Sequence, residues 1–465
     1  MKKLLSLMGV SLIASSATVV TVACGKRENE LRVVFIPSQN QTEVEATIAP
    51  LGKLLAEELK KKAEKRGTKF DKRVKITTSQ NYEIAGQSLA NGNEDIAFLP
   101  VNTYSAYRGD KQSDETYDKL GVLLTAGRLG VTPETTLYDF KGNNKFDNNK
   151  ATAHINDEVS FKLIKNYKEE VSKAKPSDEK DGYSKKMYDS QNPTIYYRSY
   201  VFANIPILKN LKLNETDSNS QWKGKSYHDV IDELLKNNNQ ANNQANNQAD
   251  NVKKYKKVLK MLILDPKVKI GIGKSKTSSS GFLYPILWLK EFVDLTESEI
   301  LQMLTKKDTE RRIVKALSYT ESATTIGNKE AKPENSPYAI TFGFSDIRFR
   351  DRQTDGKTEN EVKEERKNEM SLFKNSMVIG ASQSIYNDGI SYSKSKKSVL
   401  RDEKLLEDVR ESFVDLINKN EEAKKIFKIY NHVTYVRPEK TIDKEISKFN
   451  EKIDSIKKMV KNISW

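Results

Sequence analysis

Apolar and polar positions fall into short alternating blocks along the first part of the chain. "LRVVFIP", ending at Pro37, is a β-branched run that reads as a buried strand. Behind it, Val44, Ile48, Leu51, Leu54, Leu55 and Leu59 recur at helical spacing, and Gly67 closes the helix they predict. "RVKITTSQ" predicts a second strand, "NYEIAGQSLANG" a short helix, "DIAFLP" a third strand and "VNTYSAYRG" another helix. A β-α-β-α-β order predicts an α/β unit around a mainly parallel sheet. Such sheets bind ligands beyond the carboxyl ends of their strands, where Ser38, Gln39, Asn81, Tyr82 and Asn102 to Tyr104 fall.

After "LGVLLTAGRLG" the period fades, and residues 131–193 read as a charged, asparagine-rich surface insertion. "TIYYRSYVFAN" is a strong strand. Residues 237–250, "NNNQANNQANNQAD", form a low-complexity repeat with nothing to bury, and a disordered loop is expected there. "VKIGIG" resumes the sheet, "AITFGFSDIRF" predicts a strand ending near Asp346, and "SMVIGAS" gives one more. A helix from Asp402 to Lys419 and a charged tail close the chain. Two α/β lobes are expected, the second inserted into the first. Residues 31–195 form the first lobe and 196–348 the second, and 349–465 return to the first.

The extreme N-terminus is of another kind. Lys2 and Lys3 precede an apolar run from Leu4 to Ala23, the pattern of a secretory signal over residues 1–23. Cys24 follows, the only cysteine in the chain, so it makes no internal disulfide. Its place after "TVA" and before Gly25 resembles a bacterial lipoprotein cleavage site, although Thr21 stands where leucine is usual. That resemblance implies diacylglyceryl anchoring at Cys24, a short linker over 24–30, and a mature protein on the outer face of the cell membrane.

Composition adds less. The 465 residues carry 79 Lys and Arg against 64 Asp and Glu, a net charge of +15. Lys and Glu alternate along helix-like stretches such as "EELKKKAEKRGTKFDKR", which is a solvated face rather than a nucleic-acid stripe. His154, His228 and His432 share no metal-ligand spacing, and neither a G-x-S-x-G elbow nor a phosphate-loop spacing is present. Binding without catalysis, metal or cofactor is the expectation.

"TSSSGFLYP" carries the candidate chemistry. Thr277, Ser278, Ser279 and Ser280 crowd hydroxyls at the mouth of a helix, with Gly281 directly after them. One serine suffices as a cap. Several hydroxyls beside unpaired helix N–H groups suit a tetrahedral oxyanion. Taken with "LRVVFIPSQN", "ITTSQNYEIAGQSLANGNEDIAFLPVNTYSAY", "YYRSYVFAN" and "ASQSIYNDGISY", in this order, the sequence resembles the phosphate, phosphite and phosphonate substrate-binding proteins of ABC importers.

That resemblance implies a type II periplasmic-binding-protein fold: two lobes, each a mixed sheet flanked by helices, joined by hinge strands near Tyr196 to Tyr200 and Asp346 to Met377. It implies that Ser278, Ser279 and Ser280, with Thr277 beside them, grip the oxyanion. Tyr82 and Tyr104 would line the first-lobe side of the cleft, and Asp346 the second. The partner would be an ABC permease. Tyr386 stands where the family has proline, and no counterpart of the residues reading the organic group is evident. Asp346 has an alternative pairing with Arg348 or Arg350, and Arg198 is expected in an ion pair near the hinge. Two other readings stay open: a larger organic phosphate such as a thiamine phosphate, and a surface adhesin or nucleic-acid-capturing lipoprotein.

Overall fold

The computed structural model describes residues 29–36, 41–137, 157–173, 187–213, 221–236, 244–307, 310–344, 346–348, 358–438 and 442–465. The signal segment, Cys24, Ser38 and Gln39 lie outside these residues. Among the described residues no helix is long and apolar enough to cross a membrane.

The first sheet begins as the sequence predicts. Strand β1 (Glu30–Phe35) pairs in parallel with β2 (Arg73–Thr78) and β3 (Ile96–Leu99). The predicted helix between β1 and β2 is two helices, α1 (Gln41–Ile48) and α2 (Leu51–Lys65). Pro50, which has no N–H to donate, ends one and starts the other. Helices α3 (Tyr82–Ala90) and α4 (Val101–Tyr107) follow the carboxyl ends of β2 and β3. The long strand β4 (Leu120–Val131) then receives β5 (Tyr188–Thr194) as an antiparallel partner.

Residues 131–193 are not simply a surface insertion. Within them lie α5 (Thr132–Leu137) and α6 (Asp157–Lys173). Phe161, Leu163, Ile164 and Tyr167 of α6 are buried in the cores of the second lobe. Charged residues interleave with these apolar positions and hide the helical period. The repeat at 237–250 is also partly ordered: residues from Gln244 onward form the first turns of the helix Gln244–Leu264.

The chain crosses to the second lobe through β6 (Tyr196–Tyr197) and enters β7 (Ser199–Asn204). The second sheet runs β11-β7-β10-β8-β9, with β8 (Ile270–Gly273), β9 (Ile313–Ala316), β10 (Ile340–Phe344) and β11 (Ser376–Ala381). Strand β11 therefore belongs to the second lobe, which extends past residue 348. The return crossing is β12 (Ile385–Tyr386), antiparallel to β6. It lies beyond the 346–377 stretch expected from sequence.

Strand β13 (Gly389–Ser393) inserts between β3 and β4, antiparallel to both, and β14 (Thr434–Val436) closes the far side of β4. The charged tail is an ordered helix, Ile442–Val460. Its Ile446 packs in the first lobe, whereas Ile453, Ile456 and Val460 pack in the core of the second.

Candidate functional site

Strand β8 ends at Gly273, and the chain turns through Lys274–Thr277 into the serine cluster. Ser278 caps the helical turn after it, its Oγ accepting from Gly281 N at 3.2 Å. A β-carbon on Gly281 would lie 2.7 Å from that Oγ, so glycine is what lets the cap form. The first turn, Ser279–Leu283, is π-helical: Leu283 N bonds to Ser278 O at 3.0 Å and Tyr284 N to Ser279 O. Only then does the regular helix Tyr284–Glu291 begin. Such turns are uncommon and concentrate at functional sites. The N–H groups of Ser279 and Ser280, as first positions, have no partner inside the helix.

The serines face different neighbours. Ser280 is buried, and its Oγ lies 2.9 Å from the Tyr319 hydroxyl. Ser279 Oγ accepts from Asn102 Nδ2 at 2.6 Å, a bond that joins the two lobes. Thr277 is exposed and pairs with Ser275 at 3.0 Å. Asn102 opens α4, and Tyr319 opens the helix Tyr319–Ile326 beyond β9.

Arg128, on β4, supplies the positive charge. Its Nη2 donates to Asp388 at 3.1 Å, its guanidinium lies 5.1 Å from the Tyr197 ring centroid, and among the described residues its buried Nε has no partner. Burial pushes the Tyr82 phenol up, the Asp388 carboxylate adds to this, and Arg128 opposes it. The Tyr197 phenol responds to the same set. Tyr319 is pushed up by burial and eased back by its bonds to Ser280 and Ser278. Tyr82 opens α3 and packs half-buried against the first-lobe core.

Of the other expected cleft residues, Tyr104 is placed elsewhere, and Asp346 stands in the wall of the junction with its carboxylate already paired. Tyr104 is buried, and its hydroxyl donates to Asp443 of the C-terminal helix at 2.7 Å. Asp346 accepts from Tyr167 at 2.5 Å and pairs with Arg348 Nη2 at 2.7 Å. Its carboxylate is spent on an interior ion pair. Arg198 is likewise interior, donating to Glu134 at 2.5 Å.

A cavity of about 750 Å³ opens beside this junction. Arg128, Tyr197, Tyr319 and the predicted Asp346 form part of its wall, with Phe344 and His432 among the others. His432 is buried, with Nδ1 3.2 Å from the Tyr435 hydroxyl and Nε2 unpartnered among the described residues. Burial, aided by the Arg128 charge, holds its imidazole well below the usual range. The unfolded chain therefore takes up a proton below about pH 6.5 that the folded protein excludes, and stability falls as pH drops through that value. The loss approaches about 1.4 kcal/mol per pH unit. Denaturant unfolding between pH 7.5 and 5 should show this acid limb flattened in His432→Phe. An equally steep limb in the variant would exclude His432 as its source.

Sheet order, hinge pair and interlobe cavity define the class: a two-lobed binding-protein fold with its cleft at the lobe junction. No protein-family model matches the sequence, and no curated protein matches it. Solved structures do. The Mycoplasma hyorhinis protein Mh-p37, described as a proposed thiamine pyrophosphate transporter, aligns with a TM-score of 0.51 at 11% identity. That alignment covers 91% of this chain and 98% of that one. PhnD1 from Prochlorococcus marinus, in complex with methylphosphonate, gives 0.42 at 14% identity over 93% and 99%. The binding protein component of an ABC phosphonate transporter from Pseudomonas aeruginosa gives 0.40 at 11% over 92% and 87%. At these identities the likeness to Mh-p37 establishes the fold.

Proposed function

We propose that the protein is the solute-binding component of an ABC importer, taking a phosphonate, phosphite or phosphate group in the cleft and presenting it to a permease. Anchoring through Cys24 on the outer face of the membrane belongs to the same reading. The observation that carries it is the meeting of Ser279 with Asn102 and of Ser280 with Tyr319 at the lobe junction, beside a cavity that Tyr319 and Arg128 both line. Hydroxyls rotate to suit each oxygen, the guanidinium is always charged, and groups from both lobes let a bound anion hold the lobes together. The assembly offers a grip and no nucleophile–base pair.

The cavity favours an organic phosphate over a bare one. A volume of about 750 Å³ beside Arg128 and Tyr319 is in the range of pockets for drug-sized ligands, and aromatic rings line it. The organic group would sit there while the phosphorus oxygens stay with the serines.

Calorimetric titration with phosphate, phosphite, methylphosphonate, phenyl phosphate and thiamine phosphate tests both statements. Ser279→Ala and Ser280→Ala should each weaken the binding member by about 1.5–3 kcal/mol, the worth of a hydrogen bond to a charged group. Folded protein that binds none of the panel would remove the oxyanion reading. Phenyl phosphate binding no tighter than phosphate would remove the organic one.

A further inference from the structure

The C-terminal helix ends on the segment that carries the serines and begins on the segment that carries Asn102. At its start, Asp443 accepts from the Tyr104 hydroxyl at 2.7 Å and pairs with Arg108 at 3.5 Å. One turn on, Ser447 Oγ receives Arg108 Nη2 at 3.0 Å, and Asn450 donates to Ser105 at 2.6 Å. Tyr104 and Ser105 belong to α4 and Arg108 follows it directly; Asn102 on α4 bonds to Ser279.

At the other end, Lys276 Nζ caps the helix on three carbonyls: Val460 at 3.4 Å, Lys461 at 3.3 Å and Ile463 at 2.9 Å. Trp465 Nε1 donates to Gly273 O at 3.1 Å, and its ring stands edge-on to Phe282 at 5.3 Å. Lys276, Gly273 and Phe282 frame the serine turn from both sides. The helix is thus a strut between the two walls of the cleft.

Its two attachments differ in kind. The second-lobe end buries Ile453, Ile456 and Val460, and undocking them would return three aliphatic side chains to water. Among the described side chains the first-lobe end buries Ile446, with Ile442 half-buried beside it, and holds mainly by hydrogen bonds that water replaces at small net cost. When the lobes part, the polar end is the one that lets go.

We propose that the C-terminal helix travels with the second lobe, and that Asp443, held by Tyr104 and Arg108, is a releasable catch that keeps the cleft closed without touching solute. Tyr104 and Asp443 act here as positioning residues, setting the closed population on which solute affinity depends.

Spin labels at Glu57 and Lys329, exposed positions on opposite lobes, report the catch in solute-free protein carrying Cys24→Ser. Tyr104→Phe and Asp443→Asn should each shift the interlobe distances toward longer values, with a rise of about 5-fold in the open fraction. Amide exchange should quicken across residues 443–450 while 453–463 stay protected. A purely structural contact would lower the unfolding midpoint and leave the distances alone, and that result in both variants would overturn the proposal. So would faster exchange at 453–463 than at 443–450. Ser447→Ala, a milder change at the same end, should shift the distances in the same direction. No solute enters the test, so it stands apart from the oxyanion reading.

Discussion

Asp346→Ala is expected to cost about 3–5 kcal/mol of stability, because it leaves a buried guanidinium without its counter-charge. Arg348 is 1% exposed and packed against aromatic rings, with its guanidinium carbon 4.1 Å from the Phe373 centroid and 5.4 Å from that of Phe202. Besides the carboxylate, its guanidinium donates to Ser376 O at 3.3 Å, a neutral acceptor that leaves the charge uncompensated. The paired change Asp346→Leu with Arg348→Met should recover most of the loss, since apolar residues of similar volume often replace a buried ion pair without penalty. Urea unfolding of the three proteins decides this. Solute affinity of whatever Asp346→Ala protein remains folded should match the wild type. Asp346 lines the junction cavity, so a loss of affinity at full occupancy of the native state would show that its carboxylate also contacts the solute.

Ile456→Ala carries the second large effect. Ile456 is fully buried where the C-terminal helix meets the core of the second lobe, and truncating such a side chain costs about 2–5 kcal/mol. The damage should be local before it is global. With the helix unseated, Lys276 and Trp465 lose their purchase, so amide exchange at residues 273–283 should accelerate under conditions where β1 and β3 remain protected. Uniform acceleration across both lobes would mean that the helix only contributes bulk stability.

How much could be read from the sequence depends on how local each signal is. The β1-α-β2-α3-β3 opening is legible because each element is short, β-branched or helical in period, and bounded by turns. The serine turn is legible because its hydroxyls are adjacent. The rest of the junction is built from residues with no local mark. Arg128 sits inside β4 like any strand residue, and Tyr319 is one tyrosine among 20 in the chain. Tyr104 shows the same limit from the other side. At a strand end it reads as a cleft residue, and only a partner 339 positions away, Asp443, makes it part of the catch. In the tail, Ile442, Ile446, Ile453, Ile456 and Val460 do repeat at helical spacing, but the lysines and glutamates between them read as a solvated run. The hinge return is displaced from its expected place because β12 is only two residues long, too short for any periodic signal.

The π-helical turn sets a condition on change. A π-turn is an α-helix with one additional residue wound in, so everything before it is out of phase with everything after it by about 100°. Deleting Phe282 or Leu283 would let the segment relax into an unbroken α-helix, which is locally the easier structure. The same deletion would swing the hydroxyls that precede it around the helix axis, away from Asn102 and Tyr319. Length in this segment is therefore constrained more tightly than composition: a serine exchanged for threonine keeps the geometry, and a codon lost does not.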